Sequence, residues 1–174
     1  MAIIIGKGQA ISFPEGNASF RSEGFYGKRY VGYFQDDVNF FNTAPLHGDT
    51  SLTTSIDNFS SNSEYYSWMW IGIFKAPTSG TYNFYTNSDD ASYLWLGNDA
   101  ITGYTTGNAL VNNGGYHGGS EVSGSISLIG GKIYPIRIMF GQGWGGDFIT
   151  VSFEGPGITK TTDGSGFYFG GAFW

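Results

Sequence analysis

The chain of 174 residues has no cysteine and few charged residues. Without cysteine it can form neither a disulfide nor a thiolate metal site. Charged residues make up 13% of the chain, and 14 acidic against 8 basic side chains give a formal net charge of -6. Because nucleic-acid binding requires a basic surface, we expect no nucleic-acid partner.

The sequence also lacks long apolar runs. None approaches the length that spans a bilayer, so we expect no membrane insertion. The three isoleucines within residues 1–6 form a run too short for the core of a secretory signal, and no basic leader precedes them. We therefore expect no signal peptide in this chain.

Glycine and aromatic residues are abundant instead. The chain contains 29 glycines, and 18% of its residues are aromatic. Several segments alternate apolar and polar side chains with the period of a strand, and turns rich in glycine or proline separate them. These patterns predict an all-β fold, an antiparallel β-sandwich or a barrel without significant helix. We expect it to form a single domain over residues 1–174.

Segment 65–75 is apolar almost throughout, which predicts a central strand covered on both faces. The turn at 77–80 is expected to join it to a strand at 81–87, as a hairpin or meander. Further strands are predicted at 2–5, 91–97, 148–153 and 166–174.

The second half of the chain shows another pair of strands around a glycine turn. Residues 123–128 and 133–140 are predicted strands, and Gly130–Gly131 is predicted to be the hairpin turn between them. Two polar or glycine-rich segments, 42–65 and 98–119, are predicted to be long loops.

Two adjacent aspartates, Asp89 and Asp90, lie between two of the predicted strands. Neighbouring side chains of an extended strand point to opposite faces, so both carboxylates can share one ion only where the backbone turns sharply. A hard cation that prefers oxygen ligands, such as calcium, would offset their mutual repulsion. Such a pair at a strand end is also typical of a solvated turn, and the residues alone leave that alternative open.

Three motifs together resemble the PA-fourteen domain, named for a fourteen-kilodalton domain of anthrax protective antigen. Relatives of that domain include the yeast flocculins, GLEYA-type adhesins and bacterial adhesin modules. The resemblance covers residues 65–154. The motifs are the turn and strand Thr78–Phe84, the pair Asp89-Asp90 followed by Leu94–Gly97, and Tyr134–Ile138 leading into the glycine-rich loop Gly141–Asp147.

The resemblance implies a calcium-dependent lectin built on a β-sandwich. Lectins of this family hold calcium with two consecutive aspartates joined by a cis peptide, and with an amide side chain and carbonyls from the loop after the Tyr-Pro-Ile-Arg strand. Gln142 stands where the flocculin pattern has Asn, so the ligand set departs from the pattern there. The calcium ligands that the resemblance implies are Asp89, Asp90, Gln142, Asp147 and the carbonyls of Trp144 and Gly146. The implied carbohydrate contacts are Asp89, Asp90, Gln142, Trp144, Gly145 and Tyr116.

Other conspicuous side chains have plainer interpretations. Two interpretations of Trp144 stay open: it could be a lid on the core or a platform for a pyranose ring. Asp36–Asp37 is predicted to be a surface turn, and His47 and His117 are predicted to be solvated histidines in polar loops. Three tryptophans are predicted to lie in the core: Trp68, Trp70 and Trp95.

These features predict a calcium-dependent carbohydrate-binding module that mediates adhesion, at a cell surface, outside the cell or on a virion. Its expected partner is a glycan, and the module is expected to belong to a larger adhesin or phage particle. The alternative is a structural module of such a particle without a ligand. A glycoside hydrolase is less favoured, because its two carboxyl groups must flank a bond rather than share an ion. We therefore expect no enzymatic activity.

Overall fold

The computed structural model describes residues 22–170, and these residues form β-strands without an α-helix. Short 3-10 turns lie at Val38–Asn42, Gly97–Ala100 and Thr106–Asn108. The expected all-β class is therefore confirmed. The strands are β1 (Phe25–Val31), β2 (Leu46–Thr53), β3 (Tyr66–Lys75), β4 (Gly80–Asp89), β5 (Ser92–Leu96), β6 (Val111–Asn113), β7 (Ser120–Leu128), β8 (Ile133–Gln142), β9 (Phe148–Gly155), β10 (Ile158–Thr161) and β11 (Tyr168–Phe169).

These strands form two antiparallel sheets, which we call the large and the small sheet. The large sheet has seven strands in the order β2-β1-β3-β8-β5-β6, and β11 pairs with the end of β3 that β1 leaves free. The small sheet has four strands in the order β10-β9-β4-β7. The predicted antiparallel β-sandwich is confirmed.

Apolar side chains of both sheets form the main core. Strand β8 alternates as predicted, and its residues Tyr134, Ile136, Ile138 and Phe140 belong to the same buried cluster as Trp70 of β3. Phe84 and Phe153 of the small sheet complete this cluster from the other side. Burial of these large side chains contributes most to the stability of the fold, because no other cluster of the described residues removes as much apolar surface from water. All three tryptophans predicted to be core are buried: Trp68, Trp70 and Trp95.

A second apolar cluster covers the outer face of the large sheet. It contains Met69 and Ile71 of β3 and Met139 of β8, packed against Phe34 and Trp95. Strand β3 is therefore buried on both faces, which explains why its sequence is apolar throughout and confirms the prediction for segment 65–75.

Two turns that were predicted to join paired strands, one as a hairpin or meander and the other as a hairpin, do not, since each joins strands of different sheets. Residues 76–79 lead from β3 in the large sheet to β4 in the small one, and residues 129–132 lead from β7 to β8 in the opposite direction. The turns hydrogen-bond to each other: the Ala76 N–H donates to the Lys132 carbonyl at 3.0 Å. Strand periodicity indicates where the strands lie but not which strands pair with each other. The prediction that these strands pair across the two turns was therefore wrong.

The two predicted loops also contain strands. Residues 42–65 include β2, an edge strand whose side chains are mostly exposed on both faces, and residues 98–119 include the three-residue β6. Polar side chains on both faces leave no alternation, so β2 gave no apolar signal.

The two ends of the chain are only partly described. The predicted strand at 2–5 and the last residues, 171–174, lie outside the described range. Within it, β11 pairs with β3 as the expected C-terminal strand on the sandwich. No helix between residues 22 and 170 is long and apolar enough to cross a bilayer.

Candidate functional site

The candidate site lies where two connections cross between the sheets at the same end of the sandwich. One is the corner Asp89-Asp90, which joins β4 of the small sheet to β5 of the large sheet and contains a cis peptide bond. The other is the loop 143–147, which joins β8 of the large sheet to β9 of the small sheet. Segments that the resemblance places together in the calcium site are thus neighbours in space.

A buried hydrogen-bond network fixes the corner from behind. The Ser88 and Ser92 hydroxyls lie 2.7 Å apart, and the Ser92 hydroxyl donates to the Thr86 hydroxyl at 2.9 Å. The amide of Asn113 donates to the Ser120 carbonyl at 2.8 Å and to the Ser88 hydroxyl at 3.2 Å. Because buried polar groups are costly unless they are paired, this network favours one geometry for the strands on either side of the corner.

Asp90 is 1% exposed and is held by backbone donors. Its Oδ2 accepts the Gly143 N–H at 2.9 Å, and its Oδ1 accepts the His117 N–H at 3.1 Å. The Asp90 N–H donates to Oε1 of Gln142 at 3.1 Å, whereas the buried Nε2 of Gln142 has no partner in the described part of the chain. Each carboxylate or amide oxygen carries two lone pairs, so one acceptor position remains on each of these three oxygens.

Asp89 is half-buried, and its carboxylate has no hydrogen-bond partner between residues 22 and 170. Burial, followed by the charges of Asp90 and Asp147, raises the pKa of Asp89, whereas His117 opposes the shift. The three aspartates therefore form a local concentration of negative charge with Asp89 at its open side.

Asp147 anchors the loop that faces the corner. Its Oδ2 accepts the Tyr66 hydroxyl at 2.6 Å and the Ser61 N–H at 3.1 Å. Burial and the Asp147 acceptor raise the pKa of Tyr66, so this hydroxyl stays protonated and donates. One oxygen of the predicted ligand Asp147 is thus committed to holding the loop.

Glycines let this loop approach the carboxylates. A Cβ added to Gly146 would lie 3.2 Å from Oδ2 of Asp89, and one added to Gly143 would lie 2.9 Å from the Tyr116 ring. Gly145 has φ +103°, a left-handed conformation that favours glycine. Side chains at 143 and 146 would crowd Tyr116 and Asp89, so glycine at these two positions lets the backbone between them lie close to the corner.

A groove of about 440 Å³ adjoins the corner without including the aspartate pair. Trp144 is 61% and Tyr116 63% exposed, and the Tyr116 hydroxyl donates to the Trp144 carbonyl at 2.8 Å. Trp144 is therefore not a lid on the core, and its ring is available on the surface. The groove is lined by Tyr33, Gln35 and Asp36 from the segment after β1, and by Tyr65, Tyr116, Gly143 and Trp144.

Two residues that sequence reasoning assigned to solvated positions belong to this region. Asp36 lines the groove and accepts the Gly115 N–H at 3.1 Å, and His117 contacts Asp90 through its backbone. Their partners are distant in sequence, so no local pattern could have indicated them. The other two assignments are confirmed, since Asp37 caps a surface turn and His47 is exposed beside Asp49.

The arrangement suits a hard cation and a polar ligand beside it. The donor groups are carboxylate, amide and carbonyl oxygens, which calcium prefers, and no group of three acidic, histidine or cysteine ligands is found among the described residues. Carboxylates at the corner and exposed aromatic rings beside it are the groups that bind sugar hydroxyls and the apolar faces of sugar rings.

Comparison with known proteins bears on the fold and the family. The model of the GLEYA domain matches residues 66–154. No curated protein matches the chain. Solved structures match it along most of its length at low identity, so they show the shared fold.

Three of these structures illustrate the range of proteins that share the fold. The epithelial adhesin 6 A domain from Candida glabrata, in complex with Galβ1-3GlcNAc, has a TM-score of 0.69 at 15% identity, over 97% of this chain and 93% of that one. The PA14 sugar-binding domain from an RTX adhesin has a TM-score of 0.61 at 16% identity, over 86% and 99%. An anti-sigma factor domain-containing protein has a TM-score of 0.68 at 20% identity over 86% of this chain, which spans about half (48%) of that protein. Because the GLEYA model matches more than half of the length of this chain, the chain belongs to the GLEYA domain family and has the PA-fourteen β-sandwich fold.

Proposed function

We propose that the chain is a calcium-dependent carbohydrate-binding module that mediates adhesion to glycans at a cell surface or on the outside of a particle. One observation carries this proposal: the carboxylates of Asp89 and Asp90 meet a glycine loop and an exposed tryptophan at one end of the sandwich. The neighbouring structures support it, because several are adhesin domains in complex with sugars.

The residues at the corner fit calcium as oxygen donors. Calcium takes about six to eight oxygen ligands. Asp89 offers a carboxylate without other partners, and Asp90 and Gln142 each keep an acceptor position beside the hydrogen bonds they already make. The remaining donors are the carbonyls of Trp144 and Gly146 and the second oxygen of Asp147. When bound, the ion would supply positive charge and open coordination positions for sugar hydroxyls.

Side chains around the ion site would orient the sugar. The free acceptor positions of Asp89 and Asp90 suit hydroxyl donors, because hydrogen bonds to a charged acceptor are short and strong. The rings of Trp144 and Tyr116 are rigid and exposed, and they can pack against the apolar face of a pyranose. Gly145 leaves space beside the indole.

Substitution of Asp89 provides the sharpest test of this proposal. Asp89→Asn removes one charge where no hydrogen bond depends on it, so the fold should persist while calcium affinity falls at least about tenfold, as loss of a charged ligand implies. Asp99→Asn is the matched control, since Asp99 follows β5 at its far end, roughly 17 Å of strand away. Calcium titration by calorimetry and a glycan array with and without chelator measure both effects.

Two results would contradict the proposal. One is an unchanged calcium affinity in Asp89→Asn, and the other is glycan binding by the unmodified chain that persists in chelator. Release of reducing ends from a bound glycan would instead indicate a hydrolase.

A further inference from the structure

A second cavity lies on the side of the sandwich, away from the aspartate corner. It measures about 490 Å³, and we call it the side cleft. Residues 125–127 of β7, at the edge of the small sheet, form one wall, and Leu96, Asp99 and residues 108–110 form the other. None of these residues lines the groove beside the corner. The side cleft is therefore a separate surface.

One wall of the side cleft is a strand with a free edge. In the described part of the chain, β7 pairs with β4 alone. Alternate residues of an antiparallel strand direct their N–H and C=O groups to opposite sides, so half of those on β7 point away from β4. Strand β7 also contains neither proline nor lysine, the residues that often protect such edges from pairing.

The cleft opens where the other sheet stops covering this edge. At Gly124 the Leu110 backbone lies so close that an added Cβ would collide with its carbonyl. Directly after Gly124, residues 125–127 face the cleft instead. An additional strand therefore has room beside this part of β7.

The floor of the cleft is the side of the main core. Ile126 and Leu110 are only partly buried and pack against that core, and Leu96 belongs to it. An apolar side chain that entered the cleft would cover these residues and remove further apolar surface from water.

The wall opposite β7 is held in place by hydrogen bonds. The amide of Asn108 donates to the Gly103 carbonyl at 3.0 Å, and its oxygen accepts the Trp95 indole N–H at 3.1 Å. The Leu110 N–H donates to the Leu94 carbonyl at 2.8 Å. Because both walls are preformed, a ligand would not have to order them on binding.

Asp99 gives the cleft its charge. It is the one ionisable residue in the lining, and its half-buried carboxylate has no hydrogen bond or ion pair within residues 22–170. Such a carboxylate favours a Lys or Arg side chain of a ligand. A second copy of β7 would bring Glu121 and no basic residue, so charge favours a different chain as the occupant.

We propose that the side cleft binds an extended peptide of another protein as an additional strand beside β7. Backbone hydrogen bonds to residues 125–127 hold the peptide, one apolar side chain covers Ile126 and Leu110, and a Lys or Arg side chain pairs with Asp99. A strand rises about 3.4 Å per residue, so the cleft takes about three to five peptide residues. This inference does not rest on the proposed function, and a glycan at the corner would leave the cleft free.

Selection from a random hexapeptide library displayed on phage, with the whole chain as bait, provides the probe. We expect the enriched peptides to alternate apolar and polar residues and to contain Lys or Arg. Each is then synthesised and titrated by calorimetry. Amide hydrogen exchange followed by NMR should show at least about tenfold slower exchange within residues 125–127 when peptide is bound, because an amide that points away from β4 gains a partner.

Reversal of the charge in the cleft tests the role of Asp99. Asp99→Lys should weaken binding of the basic peptides at least about tenfold, because it replaces attraction by repulsion. Asp99→Asn, which removes the charge and keeps the shape, should weaken it less. Glu64→Lys is the matched control: it changes the net charge equally at an exposed position just before β3, and it should leave peptide affinity unchanged.

Four results would overturn the inference. The first is a selection that enriches no peptide. The second is equal affinity of the enriched peptides for Asp99→Lys and the unmodified chain, and the third is unchanged amide exchange within residues 125–127 when peptide is bound. The fourth is a dimer in sedimentation whose amides in 125–127 are already protected without peptide, which would make a second copy the occupant.

Discussion

Tyr66→Phe removes a single hydroxyl from the base of the site and leaves the buried ring in place. In the structure this hydroxyl donates to Oδ2 of Asp147 at 2.6 Å, and the tyrosine is 1% exposed. A buried hydrogen bond to a charged acceptor contributes about 1.5–3 kcal/mol. In the variant, the Ser61 N–H still donates to the same Asp147 oxygen, so only the tyrosine's hydrogen bond is lost. We therefore expect the free energy of unfolding to fall by about 2 kcal/mol.

The matched control is Tyr85→Phe, which removes a hydrogen bond of the same length and chemistry from a solvent-facing position. The Tyr85 hydroxyl donates to Glu154 at 2.6 Å on the outer face of the small sheet. Water can replace the lost donor at this solvent-facing carboxylate, so this variant should lose far less stability.

Thermal unfolding followed by circular dichroism or calorimetry, without calcium, separates the two variants. For a chain of this size, about 2 kcal/mol corresponds to a fall of the melting temperature of roughly 4–8 °C. A shift for Tyr66→Phe no larger than that for Tyr85→Phe would refute the reasoning. It would mean that the Ser61 N–H alone anchors Asp147 and that burial adds nothing to the bond.

Three further predictions follow from the corner and the sandwich. Calcium at a hundredfold excess over its dissociation constant should stabilise the folded chain by about 2.7 kcal/mol, raising the melting temperature by roughly 5–10 °C, and an unchanged midpoint in chelator would count against the site. Gly124→Ala should destabilise the chain by about 2 kcal/mol in denaturant unfolding, because its Cβ would collide with the Leu110 carbonyl, whereas Gly118→Ala meets open space and should be neutral. Trp144→Ala should leave stability within about 0.5 kcal/mol and calcium affinity unchanged but weaken glycan binding on the array; a destabilised domain with unchanged glycan binding would show that the indole is structural.

Those parts of the fold that depend on local patterns could be predicted from the sequence. Segment 65–75 is apolar almost throughout because both faces of β3 are buried, and β8 alternates because one face meets the core between the sheets. The sequence also placed the corner Asp89-Asp90 and the glycine loop after β8, because each is a short motif complete in itself.

Features that depend on distant partners could not be predicted in the same way. The turns at 76–79 and 129–132 look like hairpin turns, yet each crosses between sheets, since a turn's sequence does not specify which strands pair. Strand β2 carries polar side chains on both faces and so shows no period. Asp36 joins the groove through Gly115, 79 positions away, a contact that only the folded chain creates.

The placement of the site on the two crossings between sheets has a consequence for how such a domain can diversify. In the proposed function, the side chains of the corner and of loop 143–147 contact the ligand, whereas the registers of β4 with β9 and of β3 with β8 are set by the strands themselves. Most substitutions or insertions in loop 143–147 would therefore alter what the surface meets without displacing a strand by one residue, which would turn every side chain to the wrong face. The residues proposed to recognise the ligand and the residues that set the fold thus lie in separate stretches of chain, so the first set can change while the second stays the same.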